Sequence, residues 1–249
     1  TIEDLAFKNC TSLESIEIPN SVTSIGNDPN SGYSEGGAFY NCSSLTSVTI
    51  PSSITSIGCQ AFEGCSSLAR VTIPKSVISI GSDAFSGCTG ELFVNCNIPN
   101  TAFSQSAFTK VTIGEGVTSI GDTAFQFCES LASITIPDSV NKIGHAAFDG
   151  CLSLVSINIP ESITSIGVGV FAGCTSLASI RIPNSVTSIG EGAFSGCLSL
   201  ASITIPEGVT SIGDYAFQYC SSLERVYCKP VTPPYAHYSC SHSSSGCYD

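Results

Sequence analysis

Nine cysteines, Cys10, Cys42, Cys65, Cys88, Cys128, Cys151, Cys174, Cys197 and Cys220, recur in the same local text, and six of the eight intervals between them are 23 residues. A fixed period of that length is the signature of a solenoid, whose single coil cannot bury its own apolar side and must stack on its neighbours. This constraint outranks chain length, because 249 residues would otherwise suggest one large or two small domains.

The consensus unit is C-x-S-L-x-x-I-x-I-P-x-S-V-T-S-I-G-x-x-A-F-x-x. Its first half, as in Leu131 to Pro137, alternates β-branched residues with polar ones, the pattern of a half-buried strand. Proline closes that strand at Pro19, Pro51, Pro74, Pro99, Pro137, Pro160, Pro183 and Pro206, because a residue without an N–H cannot continue a two-sided ladder.

V-T-S-I-G reads as the turn that follows. Its glycine, at Gly26, Gly58, Gly81, Gly121, Gly144, Gly167, Gly190 and Gly213, implies either positive φ or close approach of the next coil. The A-F pair then returns the chain, with phenylalanine filling the corner. Gly or Pro interrupts every stretch before three helical turns, which excludes a long helix. Ten strands are predicted, centred on Ile16, Val48, Val71, Val94, Val111, Ile134, Ile157, Ile180, Ile203 and Val226. At ~4.8 Å per neighbour they would make a sheet about 45 Å long.

The recurrence of L-x-x-I-x-I-P followed by V-T-S-I-G-x-x-A-F-x-x-C resembles the BspA-like leucine-rich repeats, a bacterial and protist class, over residues 1 to roughly 228. The resemblance implies a mainly β repeat solenoid, right-handed and curved, with the L-x-x-I-x-I strands as a parallel concave sheet. It also implies a secreted or cell-surface protein used in adhesion and host contact, with no catalysis. The expected partner is an extracellular or host-surface protein, and no cofactor is expected.

Two intervals break the period. Between Cys10 and Cys42 nine extra residues are carried by Asn27 to Gly37, whose Gly, Pro, Asn and Ser content predicts a surface loop at 27–37. Between Cys88 and Cys128 lie 40 residues, 23 plus 17, and V-T-S-I-G is missing; a shortened coil at 89–105 is predicted, with a local change of curvature or twist. Thr1 to Phe7 aligns with Ser211 to Phe217, so further repeats or another domain are expected upstream of Thr1. Residues 229–249 carry no repeat and are read as an irregular Cys-, Ser- and Pro-rich tail after a solenoid of residues 1–228.

Charge narrows the partners. Twenty acidic against eight basic residues give a net charge of −12, a field that repels phosphate backbones and anionic lipid, so nucleic acid is not expected as a partner. No apolar run approaches the ~20 residues that cross a bilayer, which argues against direct membrane insertion. The carboxylates are scattered, with no glycosidase-like pair or calcium loop, and neither G-x-G-x-x-G nor a P-loop occurs.

The nine repeat cysteines stand beside Leu and Phe once per coil and read as unpaired, buried small hydrophobes. Five lie outside the pattern. Cys59 falls at a variable and exposed position, the pairing of Cys59 and Cys96 is left open, and Cys228, Cys240 and Cys247 are the disulfide candidates. His237, Cys240, His242 and Cys247 are potential zinc ligands, but their spacing matches no standard finger. His145 lies in ordinary repeat text and reads as surface filler.

Within the strand the Leu and Ile residues point inward, so the residues flanking the first Ile project outward in two columns. One column is Ser15, Ser47, Arg70, Phe93, Lys110, Ser133, Ser156, Ser179, Ser202 and Arg225; the other is Glu17, Thr49, Thr72, Asn95, Thr112, Thr135, Asn158, Arg181, Thr204 and Tyr227. Arginine and aromatic residues are the types that dominate interface energetics. The candidate partner-binding residues are therefore Glu17, Arg70, Phe93, Lys110, Asn158, Arg181, Arg225 and Tyr227. Two other readings of the Ser/Thr columns remain: an ice- or carbohydrate-binding hydroxyl array, and a structural spacer.

Overall fold

The computed structural model describes residues 1–26, 36–229 and 235–236. Most of the predicted surface loop at 27–37 and of the tail at 229–249 lies outside them, as do Cys240, Cys247, His237 and His242.

The described chain winds as a parallel β-solenoid without helix. The I-x-I segments form ten strands: β1 (Ser15–Glu17), β3 (Ser47–Thr49), β5 (Arg70–Ile73), β7 (Glu91–Val94), β8 (Lys110–Ile113), β10 (Ser133–Thr135), β12 (Ser156–Asn158), β14 (Ser179–Arg181), β16 (Ser202–Ile205) and β18 (Arg225–Cys228). The first six share one sheet, and β12 with β14 and β16 with β18 pair in parallel along the same stack. We call their outward side the strand face.

The V-T-S-I-G segments are not merely turns. Each contributes a two-residue strand to a second parallel ladder: β2 (Ser24–Ile25), β4 (Ser56–Ile57), β6 (Ser79–Ile80), β9 (Ser119–Ile120), β11 (Lys142–Ile143), β13 (Ser165–Ile166), β15 (Ser188–Ile189) and β17 (Ser211–Ile212). A ninth rung, β19 (Tyr235–Ala236), pairs with β17. A tight turn links the ladders, because the proline carbonyl accepts the amide three residues on, as in Val140 N to Pro137 O at 3.1 Å. Proline therefore both ends the first strand and opens the turn.

Two further columns bind coil to coil. Ten phenylalanines from Phe7 to Phe217 stack with 4.9 to 5.7 Å between successive centroids, within the range of favourable offset stacking. Beside them the thiols of Cys42, Cys65, Cys88, Cys128, Cys151, Cys174, Cys197 and Cys220 each donate to the carbonyl of the preceding coil's phenylalanine at 3.0 to 3.2 Å. All nine repeat cysteines are free thiols, as expected, but only seven are buried: Cys10 is exposed and Cys220 half-buried, both in end coils. Burial pushes the Cys65 and Cys174 thiols up to about 12 and Cys128 up to about 11. Cys96 is also buried, with its thiol raised to about 11 for the same reason.

The repeat glycines answer the choice between positive φ and close approach. Only Gly26 has positive φ, at 76°. At Gly81, Gly121, Gly144, Gly190 and Gly213 a Cβ would stand 2.4 to 2.6 Å from backbone of the preceding coil, so at these coils it is stacking distance that requires glycine.

The coil through Glu91–Val94 shows how the repeat is shortened. Phe103 follows Phe85 by 18 residues and precedes Phe125 by 22, so five residues are lost from one coil and one from the next. Strand β7 starts three residues after Cys88, leaving no repeat leucine, and Phe108 is buried in the same region, 6.3 Å from Phe85 between centroids. Ile98 bridges Ile120, so the second ladder enters the short coil from that side, while among the described residues Ile98 makes no bridge to β6. The aromatic ladder registers the irregularity: Phe85 and Phe103 are tilted by 38°, against 17° or less at the other steps.

Candidate functional site

Register corrects the outward columns at one coil. Leu92, not Val94, pairs with Val71 and Val111, so the strand centre moves back two residues. Glu91 therefore stands between Arg70 and Lys110, and Phe93 between Thr72 and Thr112, where Asn95 was expected. Glu91 falls outside the columns read from sequence because the short coil loses residues on both sides of its strand: Leu92 follows Cys88 by 4 residues, against 6 from Cys65 to Val71, and Ile98 follows Leu92 by 6, against 9 from Val111 to Ile120.

Three adjacent strands then present one cluster. Arg70 donates to Glu91 at 3.1 Å, and Lys110 reaches the other oxygen of the same carboxylate at 3.5 Å. The Arg70 guanidinium also lies 4.7 Å from the Phe93 ring centroid, a cation–π contact. The hydrogen bond from Arg70, with the charge of Lys110, holds the Glu91 carboxyl below the usual carboxylate range.

The other candidates lie elsewhere on the same face. Glu17 is exposed on β1, two strands before the Arg70 strand. Asn158 and Arg181 are register partners on β12 and β14, and Arg181 is ion-paired with Glu161 in the preceding coil's turn. Arg225 and Tyr227 are exposed on β18, opposite Ser202 and Thr204. The structure thus gathers Arg70, Phe93 and Lys110 into one group and spaces the rest along the stack.

Serines and threonines divide by position. Those in the turns serve the fold: Ser53 donates to Val22 O at 2.7 Å, Ser185 to Ile163 O at 2.6 Å and Thr210 to Thr187 O at 3.1 Å. On the strand face the exposed hydroxyls of Thr72, Thr135, Ser156, Ser179, Ser202 and Thr204 make no side-chain hydrogen bond among the described residues. These groups are available to a partner, and they alternate with the charged and aromatic side chains.

On the other sides the described polar groups serve mainly the fold. His145 is structural: its Nδ1 accepts from Val168 N at 3.2 Å, and its backbone N–H donates to Asp122 Oδ1 at 2.9 Å. This relay continues one coil back, where Asp122 N donates to Asn100 at 2.8 Å. A depression of about 400 Å³ beside Gln105, Ser106, Phe127 and Glu129 brings no reactive group into contact with another. Among the described residues no group of three or more His, Cys, Asp or Glu could hold a metal ion, and no helix is long and apolar enough to cross a membrane.

A family model described as the BspA type leucine rich repeat region matches in six copies, over residues 1–34, 32–94 and 96–224. No curated protein matches the chain. Among solved structures, a leucine-rich repeat protein from Bacteroides ovatus is 33% identical with a TM-score of 0.65, the match covering 88% of this chain and 64% of that one. A leucine rich cell surface protein from Faecalibacterium prausnitzii is also 33% identical, with a TM-score of 0.54 over 91% of this chain and 62% of the other. A T. pallidum leucine rich repeat protein is 32% identical, with a TM-score of 0.56 over 68% and 73%. The chain thus spans less than two thirds of the first two structures.

Proposed function

This chain belongs to the BspA-type leucine-rich-repeat family, and from that premise we propose that it is a non-catalytic protein-interaction module of a secreted or surface-exposed protein, used in adhesion to host or matrix proteins. The observation that carries the reading is the Arg70–Phe93–Glu91–Lys110 cluster, set among unengaged hydroxyls on the strand face. Many turn hydroxyls bond to the neighbouring coil, whereas the exposed strand-face hydroxyls named above do not. Arginine and aromatic anchors surrounded by small polar residues are the usual composition of an interface centre. The similarity to a leucine rich cell surface protein supports the location.

The test is a binding screen of the chain against a panel of immobilised extracellular-matrix and host-surface proteins, read by surface plasmon resonance. Saturable binding to one of them, weakened by Arg70→Ala with Phe93→Ala, is expected. No binding across the panel counts against the adhesive role.

A further inference from the structure

Charge is distributed unevenly around the coil. The ten strands of the first ladder hold four of the eight basic residues, Arg70, Lys110, Arg181 and Arg225, but only two of the twenty acidic ones, Glu17 and Glu91. Glu161 joins that face from the turn through its ion pair with Arg181; with it the face carries 4 − 3 = +1 and the rest of the chain 4 − 17 = −13, which together make the net −12. A strand face that is net positive on an otherwise acidic chain attracts acidic groups more than the rest of the chain does.

We propose that the strand face is a docking strip for an extended, acidic segment of a partner protein. The proposal rests on the strand-face reading above and adds the partner's chemistry. Glu91 shows the kind of group that fits: its carboxylate sits between Arg70 and Lys110, accepting from both. Both pairs are solvent-exposed, and such pairs contribute little and exchange readily, so an incoming carboxylate can share or replace them.

Spacing sets the ligand's form. In strand order the four cations stand on β5, β8, β14 and β18, separated by two, three and two strands. At ~4.8 Å per strand the gaps are about 10, 14 and 10 Å, and an extended chain rising ~3.3 Å per residue matches them with acidic residues about three, four and three apart. The hydroxyls of Thr135, Ser156, Ser179 and Ser202 lie between the cations and are free to meet its backbone. One border of the strip carries the exposed turn carboxylates Glu115, Asp138 and Glu207, which add repulsion for any polyanion broad enough to reach them.

The test uses the whole chain and fluorescence anisotropy with labelled peptides of about eleven residues: one with glutamates at that spacing in a Ser/Gly background, its lysine counterpart, and a Ser/Gly peptide. A single-stranded oligonucleotide of equal charge is the fourth probe. The glutamate peptide is expected to bind, and to weaken as salt rises. Arg181→Glu with Arg225→Glu should lower its affinity about tenfold or more. Lys8→Glu with Lys142→Glu makes the same change in net charge off the strand face and should leave affinity within about twofold. Equal loss in both double variants, tighter binding of the lysine peptide or the oligonucleotide, or no binding of the glutamate peptide would overturn the proposal. If that happens while Arg70→Ala with Phe93→Ala still weakens matrix-protein binding, the strand-face reading stands and only the acidic partner is lost.

Discussion

At the scale of single residues, the repeat assigns different reasons to letters that look alike. Gly190 and Gly196 are both repeat glycines six residues apart, yet a Cβ at Gly190 would meet the backbone of Gly167 at 2.6 Å, whereas Gly196 has φ of 75° and only ordinary contacts. Gly196→Ala is expected to cost about 1–2 kcal/mol through the left-handed backbone alone. Gly190→Ala must force two coils apart and should reach or exceed the ~1–3 kcal/mol typical of overpacking. Urea denaturation of the two variants checks the order; equal losses would mean that coil spacing is not set at the glycine column. Ile157, buried in β12, should cost ~2–5 kcal/mol when replaced by alanine.

At the scale of elements, the ladders are the source of stability, and the thiol ladder gives it a pH dependence. A thiol whose folded pKa exceeds its unfolded one contributes stability that is complete below the unfolded value and is lost as pH rises toward the folded value. From an ordinary value of 9.0, Cys65 and Cys174 rise to about 12 and Cys128 and Cys96 to about 11. Stability should therefore hold up to about pH 9 and fall between there and pH 12. Denaturant midpoints at neutral pH and near pH 10.5 check this, and Cys174→Ala should flatten the slope. Most of this element structure was legible in sequence, because period 2 in I-x-I and the recurring Pro, Gly, Phe and Cys each report one packing constraint. Two things were not. V-T-S-I-G makes its second ladder only through pairing with identical text in the next coil, and two-residue strands carry no periodicity of their own. The register of Glu91 and Phe93 depended on how the short coil's missing residues divide between the two sides of β7, which strand pairing reveals only in three dimensions.

At the scale of the whole molecule, stability is a sum of nearest-neighbour contacts, so damage should remain local. Phe148→Ala removes one ring from between Phe125 and Phe171 and is expected to cost ~3–5 kcal/mol. Hydrogen exchange should accelerate in the coils around it, while coils near Phe62 keep their protection; uniform loss along the chain would show a single cooperative core instead.

The same architecture leaves the strand face as a long surface whose exposed hydroxyls the coils do not use, and its role as the binding surface is tested most directly by blocking it. Thr135→Trp with Ser156→Trp places two bulky side chains at its middle, and Asn141→Trp with Thr164→Trp does the same among exposed residues beside the second ladder. Binding to the responsive matrix or host protein, measured at equal folded concentration, should be lost in the first pair and kept in the second. Retained binding in the first pair, with loss in the second, would contradict the assignment of function to the strand face.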